Sequence, residues 1–258
     1  MKTKSLGFNG GGRITGIFLQ VIENNKSEYK AIVVYDTDPA VLQKLKARFT
    51  GIRIAATASE AAEQDLVFLA LHPPVIQSAL EEVKSSLKAG SMLISLAPKV
   101  SIEAMASILP QVPNIARLIP NATSIVNEGY NPICFANGFS DVKKQFLLRI
   151  LRRMGRTFEV EESKLESYAV ISAMLPTYFW FQWKELIGIG SEIGLSAEES
   201  RNAVRDTLLA AVRTYFYSDL KPEEVMDLIP VKPIGEHEDT ISGFYRDKLI
   251  PLFNKLKS

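Results

Sequence analysis

The chain holds a single cysteine, Cys134, so no intramolecular disulfide can form and a reducing compartment, the cytoplasm, is expected. It also lacks an excess of charge. Thirty Lys and Arg residues stand against 29 Asp and Glu, a formal net charge of +1, which leaves no electrostatic footprint for nucleic acid or an anionic membrane. Against that neutral total, Lys143, Lys144, Arg149, Arg152, Arg153 and Arg156 read as a solvated helix face. Long apolar runs are missing too. The most apolar stretch, YAVISAMLPTYFWFQW at 168–183, is interrupted by Ser172, Pro176, Thr177 and Gln182 and is shorter than the ~20 residues a membrane span needs, so a buried helix is expected there. The basic start runs almost directly into glycines, and no export signal is expected. No metal is expected either: Glu236, His237, Glu238 and Asp239 are consecutive and lack dependable ligand spacing. Internal repeats and low-complexity linkers are absent.

What is present suits a folded enzyme-sized chain. Its 258 residues, 47% hydrophobic and 23% charged, allow a packed core in one large domain or two ordinary ones. Short β-branched runs at 31–36, 66–71, 92–97 and 115–119 alternate with amphipathic segments such as 39–49 and 73–88. Most of the runs are apolar on both faces, which predicts a doubly wound, mostly parallel α/β sheet covered by helices. Edge strands are expected at 131–136 and 157–160, around a helix at 140–155. After Glu162 strand signals stop. One long apolar helix is expected from 167 to 195, then a helix capped by Ser196 and Glu199, a short one at 221–229, and a terminal one at 240–257 interrupted at Pro251. The boundary divides the chain into a dinucleotide-binding domain, 1–161, and an all-α substrate and dimerisation domain, 162–258. A helix apolar on most sides must be buried on most sides, so a homodimer through these helices is expected.

The stretch GFNGGGRITG, residues 7–16, has the chemistry of a phosphate-cradling turn. Gly10 and Gly12 fit the first two positions of G-x-G-x-x-G, Gly11 falls at a position free to vary, and Thr15 occupies the third, where a smaller residue is usual. Arg13 and Ile14 open the following helix. Asp36, after Tyr35 at the end of the second strand, lies roughly 20 residues beyond the turn, where a carboxylate accepts bonds from the ribose hydroxyls of NAD. Asp38, before Pro39, reads as a helix N-cap. Arg13 could meet the pyrophosphate, a 2′-phosphate, or only solvent, so the cofactor expectation is NAD(P).

Further residues complete a pattern: an ALxP segment, here with Leu71, His72 and Pro73; SLA, Ser95 to Ala97; Arg117 with Pro120 and Asn121; and Glu162 before Ser172, Pro176 and Tyr178. In this pattern the chain resembles the pyrroline-5-carboxylate reductase family, from Leu6 to about Glu199. The resemblance implies a Rossmann-type domain followed by an all-α dimerisation domain, and an NAD(P)-dependent oxidoreductase that transfers hydride to a C=N or C=O group of a small substrate, as in proline biosynthesis. It places Gly7, Gly10 and Gly12 at the phosphate turn, Leu71, His72 and Pro73 beside the ribose and nicotinamide, Leu96 and Ala97 at the next strand end, and Asn121 near the nicotinamide. Hydride transfer needs a held acceptor and a donor to the atom that gains charge. Candidate donors are Ser172, Thr240 and His72; for Ser172 and Thr240 a helix hydroxyl is the competing reading. Tyr178 reads as core or dimer packing, and His237 as a solvated loop residue.

The chain also departs from the family. Ala173, Met174 and Leu175 replace small residues, Lys99 replaces a glycine, and VKPIGEHEDTISGF replaces a Pro-Gly-Gly-Thr-Thr loop. Two alternatives follow: a nucleotide-binding homologue without catalysis, and an enzyme of the F420-dependent NADP oxidoreductase type.

Overall fold

The computed structural model describes residues 4–257, the side chains of Pro73 and Pro74 excepted. Eight strands form one sheet: β1 (Ser5–Asn9), β2 (Ala31–Tyr35), β3 (Arg53–Ile54), β4 (Leu66–Leu69), β5 (Met92–Ser95), β6 (Ile115–Leu118), β7 (Gly129–Phe135) and β8 (Gly155–Glu159). Their order is β3-β2-β1-β4-β5-β6-β7-β8, and every neighbouring pair is parallel except β6 with β7. Helices α1 (Arg13–Asn24), α2 (Pro39–Arg48), α3 (Ala58–Ala62), α4 (Pro73–Val83), α5 (Ile102–Ile108) and α6 (Asp141–Leu151) connect the strands.

Apolar residues alternate between two cores, as a sheet covered on both faces requires. Leu6, Phe8 and Phe68 join Phe18 of α1 and Leu147 of α6 in one; Val67, Leu69 and Leu93 join Ile76 of α4 and Met105 of α5 in the other. The rings of Phe8 and Phe68 stack at 4.9 Å. Gly7 lies inside β1 rather than on the turn. A Cβ there would stand 1.8 Å from the Ala61 carbonyl oxygen, so its absence lets α3 lie against the strand.

The expected long helix is divided. It begins as α7 (Leu165–Tyr168), passes through a π-turn over Ala169–Ala173, and resumes after Met174 as α8 (Leu175–Glu192). Pro176 accounts for the division, since it has no N–H and its ring crowds the carbonyl four residues earlier. That carbonyl, of Ser172, accepts instead from Asn121 Nδ2 at 2.9 Å. Then follow α9 (Ala197–Tyr217), opened by the reciprocal Ser196–Glu199 cap, α10 (Pro222–Asp227) and α11 (Glu238–Lys257). Pro251 does not interrupt α11; the helix runs through it, giving up the bond of one N–H. Near its end Leu256 packs with Ile119, Cys134, Leu165 and Ala169.

Two compact units result: the residues up to Met174 together with the segment from Phe253, and Leu175–Leu252. Strands end at Glu159, close to the expected change of character, but the segment from Glu162 to Met174 stays with the first unit. In the second unit, Ser200 of α9 is buried and its hydroxyl donates to the Ile187 carbonyl of α8 at 2.6 Å. Phe181, Ile193, Phe216, Tyr217 and Val231 of this unit are exposed.

Candidate active site

Parallel strands leave their C-terminal ends on one edge of the sheet. Gly10, Asp36, Leu71, Leu96 and Ile119 follow β1, β2, β4, β5 and β6 there. The strand order reverses between β1 and β4, the position at which open α/β sheets form a ligand crevice.

The glycine turn stands at that reversal. Gly10 has φ +109°, its N–H donates to the Tyr35 carbonyl at 2.8 Å, and a Cβ on it would lie 2.3 Å from the Ala70 carbonyl oxygen. Asp36 braces the backbone: Oδ2 accepts from Gly11 N at 2.7 Å and Oδ1 from Asp38 N at 2.9 Å, and each oxygen keeps a lone pair for a further donor. Gly11, at a motif position free to vary, lies close to α2. A Cβ would meet Val41 Cγ1 at 3.0 Å and Leu45 Cδ1 at 3.2 Å, side chains of α2. Thr15, a mismatch by size, is fully buried, and its Oγ1 donates to the Gly10 carbonyl at 2.6 Å. A third glycine could not make that bond.

Gly12 precedes α1 and differs from its neighbours: an added Cβ would meet nothing within 4 Å. No side chain caps α1 and no acid stands in its first turn. The N-terminal N–H groups and the positive end of the helix dipole are therefore left for an anion. Arg13 is exposed and makes no ion pair or hydrogen bond among the described residues. Ile14 packs against the first core, and Tyr35 is half-buried against the second.

The other expected residues are placed as follows. Leu71 is half-buried and His72 exposed at the N-cap of α4, where its side chain makes no capping bond. Pro73 opens α4, and its side chain lies outside the described residues. Leu96 and Ala97 are buried, with Leu96 N bonded to the Leu69 carbonyl at 3.0 Å. Asn121 is buried: Oδ1 accepts from Thr123 N and Thr123 Oγ1, both at 2.9 Å, and Nδ2 reaches Ser172. Asn121 and Ser172, 51 residues apart, are thus brought together. The Ser172 hydroxyl donates to the Tyr168 carbonyl at 2.7 Å. Thr240 is exposed in the first turn of α11 and belongs to the second unit, as does exposed His237.

One cluster went unread in the sequence beyond the motif positions of Arg117 and Glu162. Arg117 on β6 is 3% exposed; Nη1 donates to Glu162 Oε1 at 2.8 Å and Nη2 to Glu166 Oε1 at 2.5 Å. The available signal was a lone charge inside the apolar run IARLI; nothing marked Glu166. Beside it, burial and then the Glu162 carboxylate push the Cys134 thiol from an ordinary 9.0 to about 12. The native thiol keeps its proton where an unfolded one loses it, so this group subtracts stability as pH rises from 9.0 towards about 12. A Cys134→Ala chain is expected to show a shallower fall of its urea midpoint across that window than the unchanged chain; parallel falls would contradict the assignment. Among the described residues no group of three His, Cys, Asp or Glu could hold a metal ion, and no helix is long and apolar enough to cross a membrane.

Comparison with known proteins adds four likenesses. Residues 5–99 match the family described as NADP oxidoreductase coenzyme F420-dependent. Pyrroline-5-carboxylate reductase 1 of Bacillus spizizenii is 24% identical over 230 residues, 88% of this chain and 77% of that one. Among solved structures, the Plasmodium falciparum pyrroline carboxylate reductase with NADP bound has a TM-score of 0.80 at 22% identity, over 100% of this chain and 97% of that one. The 1-pyrroline-5-carboxylate reductase of Streptococcus pyogenes has a TM-score of 0.80 at 18% identity, over 98% of each. At these identities the structural likenesses show the fold.

Proposed function

We propose that the chain is a divergent member of the pyrroline-5-carboxylate reductase family, a cytoplasmic, homodimeric NAD(P)-dependent oxidoreductase that reduces a C=N, or C=O, group of a small substrate. The observation that carries this reading is the open, uncapped start of α1 at the strand-order reversal, behind a turn whose backbone Asp36 fixes. A dinucleotide fits these residues: an anion can approach Gly12 where no side chain stands, and the adjoining N–H groups await an acceptor.

When bound, the reduced nicotinamide supplies the hydride. In this reading Gly10, Gly11, Gly12, Arg13 and Ile14 hold the diphosphate, and Tyr35 with Asp36 the adenosine ribose. Leu71, His72, Pro73, Leu96, Ala97 and Asn121 line the remainder. Ser172, Thr240 and His72 are the candidate donors to the atom that gains charge. The Ser172 proton is committed to the Tyr168 carbonyl, so donation to substrate requires its side chain to rotate.

Turnover of pyrroline-5-carboxylate with NADH and NADPH tests the activity. Oxidation of either cofactor that depends on the imine supports the reading; cofactor binding without turnover directs the search to other imines and ketones. The exposed apolar residues of the second unit support the homodimer. Light scattering is expected to give twice the chain mass, and Phe181→Glu with Phe216→Glu to lower it. A monomeric unchanged chain would contradict the dimer.

A further inference from the structure

We propose that Arg117, Glu162 and Glu166 form a positioning clamp that fixes the backbone after β5 against the π-turn carrying Ser172. The proposal rests on the functional reading above, in which that backbone receives the nicotinamide end of the cofactor.

The geometry ties three segments to one buried guanidinium. Arg117 pairs in register with Ser95 of β5 and Cys134 of β7, so it stands under the exit of β5. Glu162 Oε1, which takes Arg117 Nη1, also accepts from Ile102 N at 2.8 Å, the first residue of α5. Glu166 Oε1, which takes Nη2, also accepts from Lys99 N at 3.4 Å. Lys99 has φ +78°, a left-handed backbone that disfavours a side-chain-bearing residue. The loop between β5 and α5 is thus held at its middle, Lys99, and where it enters α5, Ile102, by carboxylates from a segment 60 and more residues away. Four residues beyond Arg117, Asn121 grips the other end of that same segment at the Ser172 carbonyl. Both ends of the stretch from Glu162 to Ser172 are therefore fastened to the exit of β6.

Stability alone does not explain this arrangement. A buried ion pair recovers its desolvation cost poorly, and apolar replacements of equal volume often serve as well. Arg117 Nε, moreover, is buried with no hydrogen-bond partner among the described residues, so the cluster is not arranged to satisfy every donor. What it does achieve is a fixed relation between two backbone segments, 96–102 and 169–173. Catalysis of hydride transfer depends on such placement, since displacement by about 1 Å can cost on the order of 100-fold in rate.

The test uses Glu166→Gln, with Glu162→Gln in reserve should the first fail to fold, and reads amide hydrogen exchange and steady-state kinetics. Exchange is expected to rise in 96–102 and 169–173 together, with residues 10–16 unchanged. NAD(P)H affinity is expected to stay within about twofold, while kcat falls about tenfold with little change in KM. Exchange rising only between 162 and 168 would overturn the coupling. So would an unchanged kcat in a variant whose two segments have loosened, because a purely structural role predicts that result. If the unchanged chain turns over no substrate, the functional reading fails while the exchange measurement still decides whether the clamp couples the two segments.

Discussion

Replacing Asp36 by serine is expected to move the ratio of NADH to NADPH affinity towards NADPH by roughly 10- to 100-fold. A carboxylate at the end of β2 accepts from ribose hydroxyls and repels a 2′-phosphate. Here it cannot turn away, because Gly11 N and Asp38 N hold one oxygen each. The unchanged chain is accordingly expected to prefer NADH, with exposed Arg13 at the start of α1 able to moderate the preference. Dissociation constants for both cofactors, measured at one ionic strength for the unchanged chain, Asp36→Ser and Asp36→Asn, check this. An unchanged ratio would remove Asp36 from ribose recognition and leave it as a brace for the turn.

The second large effect separates the glycines of the turn by role. Gly12→Val is expected to lower cofactor affinity at least tenfold while costing no more than about 1 kcal/mol of stability, because the new side chain enters space that only a ligand would use. Gly10→Ala is expected to do the reverse in order of cause. It destabilises by about 2 kcal/mol or more, since φ +109° disfavours a side chain and the Ala70 carbonyl stands at 2.3 Å. Denaturant midpoints and cofactor titrations on the two variants check the contrast. Equal stability losses would show that Gly12 is packed rather than open, and would remove the anion site from it.

The sheet was legible because its strands carry period-two or continuous apolar patterns between helical ones. β3 was not: two exposed residues, Arg53 and Ile54, are too few to show a period. The turn was legible as a motif but its supports were not. Motif spacing cannot show that Gly11 faces Val41 and Leu45, nor that the Thr15 hydroxyl closes on the Gly10 carbonyl, because both depend on where α2 and the turn meet in space. The helix after Glu162 read as continuous because its apolar character is continuous. The π-turn arises from one backbone constraint at Pro176 and a partner, Asn121, more than fifty residues earlier. The same reason hid Glu166. A carboxylate in a polar-looking segment carries no local sign that it will be buried against an arginine from a distant strand. Around the candidate site, therefore, the residues proposed to touch a ligand carry a motif or a family likeness in the sequence, and most of the contacts that hold them do not.

The most direct test of the central claim is equilibrium titration of the full chain with NADH and NADPH, followed by the fluorescence of the reduced nicotinamide. The structure predicts saturable binding of at least one, tighter for NADH, that is lost in Gly12→Val. Failure of the unchanged chain to bind either cofactor would contradict it.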